Sequence, residues 1–408
     1  MASTERDTPT VTSAKKGSIF HRLYVGTGAF DIVGHRKRWY VFFIGLVLAC
    51  LVSIGVKGFN FSIEFEGGTL IQMPGQSTHG TITVDEAKKA FTDALGQEPS
   101  SAQTVGIGNA ATVQLRSETL TADQVAKIKQ SLFTELQPVG SNGQSSVQTI
   151  SDSAVSASWG GEISRQALIA LAVFMVLVTI FLTIYFERWM AVAALVSLVH
   201  DIVVTAGIYS LVGFEVSPAT VIGLLTILGF SLYDTVVVFD KVKENSRGLL
   251  GLTRRTYAET ANLALNQTLM RSINTAIIAL LPVIGLLVVG YLLLGAGTLQ
   301  DLALVQLTGM LAGVLSSLFL ATPVLVDLKM RDPKYQQQAE RVKARRARRS
   351  AEQHTEGGEH FDATDDEALE AELRKEKAYA AAASVPARTP KAPHRAPRRG
   401  RPSGKRKR

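Results

Sequence analysis

Six long apolar stretches, separated by polar segments, set the pattern of the chain. Each has 18–28 residues, enough for a helix to cross the hydrocarbon core of a bilayer. The pattern therefore predicts an α-helical membrane protein with six transmembrane helices. The stretches are Trp39–Val56, Ala167–Phe186, Trp189–Phe214, Val216–Phe239, Ile273–Leu294 and Leu299–Val326.

The segment between the first two stretches, residues 58–163, has the pattern of a small soluble domain. Alternating positions predict strands, and apolar positions at helical spacing predict two helices. The expected order is strand, helix, strand, strand, helix, strand, which is the α+β ferredoxin-like split motif. The predicted elements are a strand over 61–65 that breaks at Gly67-Gly68 and resumes at 69–72, a helix from Thr83, strands at 102–107 and 112–116, a helix at 121–137 and a strand at 146–155.

Charge predicts the orientation. Lys and Arg precede the first stretch and follow the fourth and sixth, whereas residues 58–163 hold more than twice as many acids as bases. Basic residues near helix ends favour the cytoplasm, so both termini are predicted there and the domain is predicted to be extracytoplasmic. The first stretch lacks a cleavage pattern and is expected to stay as an anchor.

These signals divide the chain into segments. They are a cytoplasmic N-terminal segment at 1–38, the first transmembrane helix at 39–57, the extracytoplasmic ferredoxin-like domain at 58–163, the five-helix remainder of the bundle at 164–328 and a disordered basic cytoplasmic tail at 329–408.

Within the five-helix remainder, residues 241–270 are predicted to be a cytoplasmic interfacial loop. An apolar stripe there suits a helix on the inner leaflet; a connector that covers its neighbours is the alternative. The stripe comprises Tyr257, Ala261, Leu265 and Leu269.

The tail is poor in large apolar residues, and only 365–383 favours transient helix. Residues 388–408 hold ten Lys or Arg and no acid. This run could contact anionic lipid, ribosomal RNA or an acidic protein, or simply enforce topology. No interleaved aromatic pattern indicates specific nucleic-acid recognition.

Composition narrows the function. The chain is 46% hydrophobic and 19% charged, with Cys50 as its single cysteine, so neither a disulfide framework nor a thiolate metal site is expected. No nucleophile–base set predicts an enzyme, and no cofactor is predicted. A phosphate-binding loop is missing from the sequence, so an ion gradient is the expected energy source.

Asp234 lies within the fourth stretch, in its cytoplasmic-side half. A carboxylate inside a spanning helix costs roughly 2.5–3.5 kcal/mol on insertion scales, which indicates a functional role. Arg271 heads the fifth stretch at a compatible depth and is predicted to be its counter-ion. The pair could be static, with Arg271 alternatively snorkelling; a carboxylate that alternates between neutral and paired states is the favoured hypothesis.

Three further residues could handle protons. His200 and Asp201 are neighbours near the middle of the third stretch, where they could form a relay or a fixed packing contact. Asp301 follows Thr298 by three residues, which predicts a capping box that opens the sixth helix on the outside. A place at an outer proton entrance is the alternative for Asp301.

Small residues at four-residue spacing predict close packing between helices. They occur at Ala219 and Gly223 in the fourth stretch, and at Gly309, Gly313 and Ser317 in the sixth.

Four segments together resemble the SecF subunits of bacterial SecD–SecF protein-export complexes, in the resistance-nodulation-division superfamily. The resemblance covers roughly residues 30–330, and the basic tail beyond it looks like an actinobacterial elaboration. The segments are Leu-Thr-Ile-Leu-Gly-Phe-Ser-Leu-Tyr-Asp-Thr-Val-Val-Val-Phe-Asp-Lys-Val-Lys-Glu-Asn at 225–245, Val-His-Asp at 199–201, Asn-Gln-Thr-Leu-Met-Arg-Ser-Ile-Asn-Thr at 266–275 and Phe-Glu-Gly-Gly-Thr at 65–69.

The resemblance implies a multi-pass protein of the bacterial cell membrane that pairs with SecD. Such a protein uses the proton motive force to promote preprotein movement through the SecYEG channel, in the pathway of the ATP-driven motor SecA. Asp234 and Arg271 would be the core of proton conduction, with Asp301 a secondary candidate. The motif positions expected to be structural are Gly67, Gly68, Gly229, Thr235 and Asn245.

Two alternative functions are also consistent with the sequence. A proton-coupled efflux or lipid transporter of the same superfamily would need the same buried acid. A purely structural clamp that holds SecD and the channel together would not need it. A partner half is expected in any case, because six helices with one outside domain are half of a two-fold transporter.

Overall fold

The computed structural model describes residues 30–140, 143–293 and 297–353. The proposed transient helix at 365–383 and the final basic run lie outside the described residues. Six helices in the described part are long and apolar enough to cross a membrane, which confirms the predicted number. They are Arg36–Lys57, Ala157–Tyr185, Arg188–Val212, Pro218–Gly251, Tyr257–Gly290 and Gly297–Lys329, here called the first to sixth spans.

The helices are α1 Arg36–Lys57, α2 Ile63–Glu66, α3 Val84–Leu95, α4 Ala122–Leu136, α5 Ala157–Tyr185, α6 Arg188–Val212, α7 Pro218–Asn245, α8 Tyr257–Leu287, α9 Gly297–Ser316, α10 Thr322–Lys329 and α11 Pro333–Gln353. The strands are β1 Asn60–Phe61, β2 Gly68–Pro74, β3 Gln76–Ser77, β4 Gly80–Thr81, β5 Ser101–Val105, β6 Thr112–Ser117, β7 Ser151–Val155 and β8 Glu215–Val216. Two π-helical segments, Val288–Leu293 and Ser317–Ala321, follow α8 and α9.

The domain after the first span is a four-stranded antiparallel sheet in the order β5-β6-β2-β7, packed against α3 and α4. Each helix starts with a capping box, at Thr83 and at Thr121. The order of these elements is that of the predicted ferredoxin-like motif. Below, the membrane face that bears this domain is the domain side, and the opposite face is the tail side.

The strand predicted over residues 61–65 is wrong. Ile63–Glu66 forms one helical turn, α2, whose N–H groups at Phe65 and Glu66 donate to the Ser62 carbonyl. Gly67 and Gly68 then turn the chain into β2. The alternation of apolar residues over so short a stretch did not distinguish a strand from a single turn.

The third and sixth spans form the centre of the bundle. Inside their most apolar windows 56% and 72% of residues are buried, against 11–17% for the first, second and fifth spans. Small residues allow this packing, as predicted: a β-carbon at Gly309 would overlap the Ile227 side chain, and one at Gly313 would lie 3.0 Å from the Ser231 β-carbon. The fourth and sixth spans therefore pack closely, because glycine leaves the space.

The interfacial loop predicted at 241–270 is not a separate surface element. Helix α7 continues to Asn245, and α8 begins at Tyr257 and continues without a break to Leu287. The stripe from Tyr257 to Leu269 is buried in the protein. It therefore packs against neighbouring helices, as in the connector alternative. The sequence did not distinguish the two, because an apolar stripe at helical spacing can face either lipid or other helices.

The disorder predicted beyond residue 329 is also wrong for residues 333–353. Helix α11 packs on the tail-side segment between the fourth and fifth spans, with Ala339 and Val342 buried. Its Gln338 side chain donates to the Arg255 carbonyl at 2.7 Å, and Arg346 pairs with Glu259 at 2.7 Å. Specific polar contacts, which composition does not reveal, hold this helix in place.

Candidate functional site

Asp234 lies inside the bundle, with a side chain that the protein surrounds almost completely. Asp234 is 2% exposed, and the Ser272 hydroxyl on α8 donates a hydrogen bond to Asp234 Oδ1. Its Oδ2 is buried and accepts no hydrogen bond from any described residue. A buried ionised carboxylate with one donor is costly, so this group requires either a proton or a further donor.

The predicted Asp234–Arg271 ion pair is not formed in the structure. Arg271 is exposed, and among the described residues it has no ion-pair partner. It shares the outer face of α8 with Asn274 and Ile278, the latter 68% exposed. Adjacent positions on a helix point about 100° apart, so Ser272, and not Arg271, faces Asp234.

The sequence contained a signal for Ser272. The stripe at Tyr257, Ala261, Leu265 and Leu269 continues at helical spacing to Ser272 and then Ala276, and all of these residues are buried. Continuing the stripe places Arg271 off the buried face.

A second buried acid lies on the third span. Asp201 Oδ1 is 3.1 Å from His200 Nδ1, so these neighbours do contact each other. Asp201 Oδ2 accepts a hydrogen bond of 2.6 Å from the Ser231 hydroxyl on α7. His200 Nε2 is buried with no described partner and the ring packs edge-on against Phe43 at 5.0 Å.

Hydroxyl groups extend this cluster from the third span to the fourth and sixth. Ser317 donates to the Ser231 carbonyl at 3.2 Å and accepts from the Thr235 hydroxyl at 2.9 Å. Ser317 opens the π-helical segment of the sixth span, and such segments occur frequently at functional sites. The sequence predicted Ser317 as a packing residue, and the structure adds a hydrogen-bonding role. We call Asp234, Ser272, Asp201, Ser231, Thr235 and Ser317 the buried polar centre.

Asp301 is not part of this centre, and its predicted capping box is wrong. Helix α9 already includes Gly297, so Thr298 is inside the helix, and no described bond joins Thr298 to Asp301. Asp301 instead lies beside the Ser217 hydroxyl at the domain-side start of α7. Ser217 and Ser231 are roughly 21 Å apart along α7, so Asp301 is near the membrane boundary.

Asp301 borders a polar cleft of about 400 Å³ between the sheet and the bundle, here the junction cleft. Glu215 of β8 lines this cleft and forms an ion pair with Arg116 of β6, and both side chains are largely buried. Burial lowers the pKa of the Arg116 guanidinium, and nearby carboxylates, including Asp301, oppose that effect. The pair joins the domain to the loop that leads into the fourth span.

Replacing Arg116 with Gln is expected to destabilise this junction. Removing one partner of a buried ion pair costs about 3–5 kcal/mol, because the other charge stays buried without a counter-ion. The thermal unfolding midpoint of the full chain should therefore fall. The control is Lys129→Gln, since Lys129 pairs with the more exposed Asp152 at 2.8 Å and such pairs contribute roughly 0–1 kcal/mol. Equal shifts for the two variants would contradict the structural role assigned to Arg116.

Comparison with known proteins decides the family. Residues 136–331 match the family model for the protein export membrane protein SecD/SecF, C-terminal, and residues 52–78 match that for the SecD/SecF GG motif. The chain is 52% identical over 375 residues to the protein translocase subunit SecF of Mycobacterium tuberculosis, covering 90% of this chain and 84% of that one. The chain belongs to the SecF family.

Other SecF-related proteins agree with this assignment. The SecF of Streptomyces coelicolor is 43% identical over 97% of this chain and 100% of its own length. A crystal structure of SecDF from Thermus thermophilus, described as a translocon-associated membrane protein, superposes with a TM-score of 0.63 at 27% identity. That match covers 74% of this chain and 38% of SecDF, so this chain corresponds to part of that larger protein.

Membership of the SecF family makes this multi-pass membrane protein a protein translocase subunit that aids export, and a transporter rather than an enzyme. The efflux or lipid transporter considered from the sequence is therefore not supported.

The two glycines of the GG motif have a steric explanation in this SecF-family chain. Gly67 and Gly68 have φ values of +81° and +125°, which side chains with a β-carbon rarely adopt. A β-carbon at Gly67 would also lie 2.7 Å from the backbone of Ala157, at the start of the second span. The motif lets α2 pass directly against that span, where Gly160 in turn meets the Phe65 carbonyl.

The other motif positions differ in role. Thr235 belongs to the buried polar centre, and the Asn245 side chain donates to the Gln267 side chain at 2.9 Å, joining the fourth and fifth spans. Gly229 is exposed, and a β-carbon there would meet no atom within 4 Å, so packing within this chain does not explain it.

Proposed function

We propose that this chain pairs with a SecD partner and uses the proton motive force to promote preprotein movement through the SecYEG channel, in the same pathway as the SecA motor. The observation that carries the proposal is the buried Asp234, which has one hydroxyl donor and one oxygen without a described partner. Protonation changes the charge of such a group inside the bundle, and that change can alter helix packing.

Arg271 retains a role through the partner. Its face of α8, with Asn274 beside it, presents polar groups in a spanning helix. Such groups are expensive in lipid, so this face suits contact with the SecD half. In that arrangement Arg271 and Asp234 lie on opposite sides of α8. The proton path then includes residues of this chain and of the SecD partner.

We also propose that both termini are cytoplasmic. Basic residues gather at the tail-side ends of the spans, and the domain is acidic overall. Asp301, near the domain-side boundary, then faces the compartment from which protons enter, with His200 and Asp201 deeper in the bundle.

The proposal can be tested with inside-out membrane vesicles that import a preprotein in the presence of ATP. Import should be faster with a proton gradient than after the gradient is collapsed by an ionophore. Vesicles that lack this chain should show no such difference. An equal response to the gradient in both preparations would contradict proton coupling through this chain.

Copurification tests the assembly separately. SecD and the channel subunits should copurify with the full-length chain from mild detergent. Copurification together with gradient-independent import would favour the structural clamp.

A further inference from the structure

A groove lies at the tail-side end of the bundle, between the first, fifth and sixth spans. It has a volume of about 690 Å³, within the roughly 300–1,000 Å³ of typical small-molecule sites. We call it the tail-side groove and define it by Phe30, Arg38, Trp39, Phe42, Leu269 and Phe319.

Hydrogen bonds hold the chain that forms one wall of this groove. Asn262 Oδ1 on α8 accepts from the backbone N–H groups of Ile32 and Val33, at 3.0 and 3.1 Å. Asn266 Nδ2 donates to the Phe30 carbonyl at 2.9 Å. The segment before α1 is therefore fixed to the fifth span, so the groove is formed before any occupant arrives.

The inner surface of the groove is apolar and aromatic. Trp39 packs on Phe319 with a centroid distance of 4.2 Å, and Phe42, one turn further along α1, is 52% exposed. An aromatic residue at the start of a span, such as Trp39, marks the depth of the lipid headgroups. The groove therefore runs from headgroup level toward the hydrocarbon region.

The rim carries a cation, Arg38, that pairs with none of the residues the structure describes. Arg36, at the start of α1, pairs with Asp327 at 2.9 Å. Arg38 lines the groove and is exposed, and its guanidinium has no hydrogen bond or ion pair with any described residue. Lys37 between them is also exposed but does not line the groove.

One carboxylate also lies on the rim. The Asp31 carboxylate accepts from the Gly34 N–H at 2.8 Å, and the Asp31 backbone oxygen lies 2.8 Å from His35 Nδ1, so the described contacts of Asp31 stay within its own turn and do not include Arg38. Lys37 and Arg38 thus remain as unpaired cations at this edge of the described chain.

We propose that the tail-side groove binds an anionic phospholipid. The headgroup phosphate would pair with Arg38, and one acyl chain would lie along Trp39, Phe42 and Phe319. Basic pockets between spanning helices are suited to anionic headgroups, and the apolar wall suits the chain. The bound lipid would also contact Leu269 and Ile273 on α8, which lie on either side of Ser272 in the sequence. Occupancy would thereby connect the lipid composition to the helix that hydrogen-bonds Asp234.

Trp39 provides a direct probe. The chain has three Trp residues, so Trp159→Phe together with Trp189→Phe leaves Trp39 as the only one. The full-length protein would be placed in phosphatidylcholine vesicles with a small fraction of brominated lipid, whose bromines quench nearby Trp fluorescence. Brominated phosphatidylglycerol should quench Trp39 more strongly than brominated phosphatidylcholine at the same fraction.

Two variants test the role of the rim. Arg38→Gln should lower the preference for phosphatidylglycerol about fivefold, the effect of one cation near an anionic lipid. Lys37→Gln, which removes the adjacent exposed charge outside the groove, should leave most of the preference intact. Equal quenching by the two lipids, or equal loss in both variants, would overturn the proposal. So would the absence of quenching by either lipid, as expected if a partner helix or residues 1–29 fill the groove.

Discussion

Replacing Asp234 with Asn should remove the gradient-dependent part of preprotein import and leave the gradient-independent part unchanged. Asn has nearly the same size and can still hydrogen-bond to Ser272, so packing around the fourth span should be retained. It cannot alternate between neutral and charged forms, which is the property the proposed mechanism needs. Import into inside-out vesicles, with and without an ionophore, measures both parts.

A matched control lies on the same helix. Asp240 is exposed near the tail-side end of α7, so Asp240→Asn removes an equal charge without entering the buried polar centre. This variant should respond to the gradient as the unsubstituted chain does. A normal gradient response in Asp234→Asn, at an equal amount of protein in the membrane, would exclude Asp234 as the coupling group.

Ser272→Ala provides a graded version of the same experiment. It removes the hydroxyl that donates to Asp234 but leaves the carboxyl in place. A lost hydrogen bond of about 1 kcal/mol corresponds to about a fivefold change, so a partial loss of the gradient-dependent rate is expected.

Replacing Gly207 with Leu should separate the first span from the third. A β-carbon at Gly207 would lie 2.7 Å from the Cα of Cys50, so the backbone of α1 would have to move. Overpacking costs about 1–3 kcal/mol even where side chains can adjust, and here a main chain must shift. Cys50 is the single cysteine and is 6% exposed, so its labelling by a membrane-permeable maleimide reports this movement.

The unsubstituted chain should label slowly and Gly207→Leu rapidly. Gly45 on α1 provides the control, because it is exposed and a β-carbon there meets no atom within 4 Å. Gly45→Leu should therefore leave Cys50 protected. Protection in Gly207→Leu, with the protein inserted normally, would show that the first and third spans pack less closely than the structure has them.

Sequence reasoning placed Asp201 and Asp234 inside spanning stretches, and both are buried, but it assigned Asp234 a counter-ion that the structure does not show. A carboxylate in an apolar stretch identifies itself, because its cost in lipid depends only on its own chemistry and on the length of the stretch around it. The counter-ion of such a carboxylate cannot be recognised from the sequence in the same way. Arg271 and Ser272 lie at the same depth, and only the rotation of α8 about its axis determines which of them faces Asp234.

The same distinction, between local sequence pattern and tertiary contact, explains the wrong prediction for Asp301. Thr298 and Asp301 have the spacing of a capping box, but helix α9 includes Gly297, and Asp301 lies near Arg116 of the soluble domain. The pairing of Arg116 with Glu215 joins elements far apart in the sequence. Local pattern carries no information about such pairs, because they depend on how the domain sits on the bundle.

Hydrophobic run length and periodicity were therefore enough to predict six spans, the strand and helix order of the domain and the buried acids at Asp201 and Asp234. These features follow from the free energy of transferring each segment into lipid or into a core, which nearby residues dominate. The hydroxyl partners of the two acids, the docked helix α11 and the groove beside Arg38 are consequences of the tertiary structure alone. They depend on helix rotation and on contacts between distant segments, and neither is encoded in the hydrophobic pattern of a single segment.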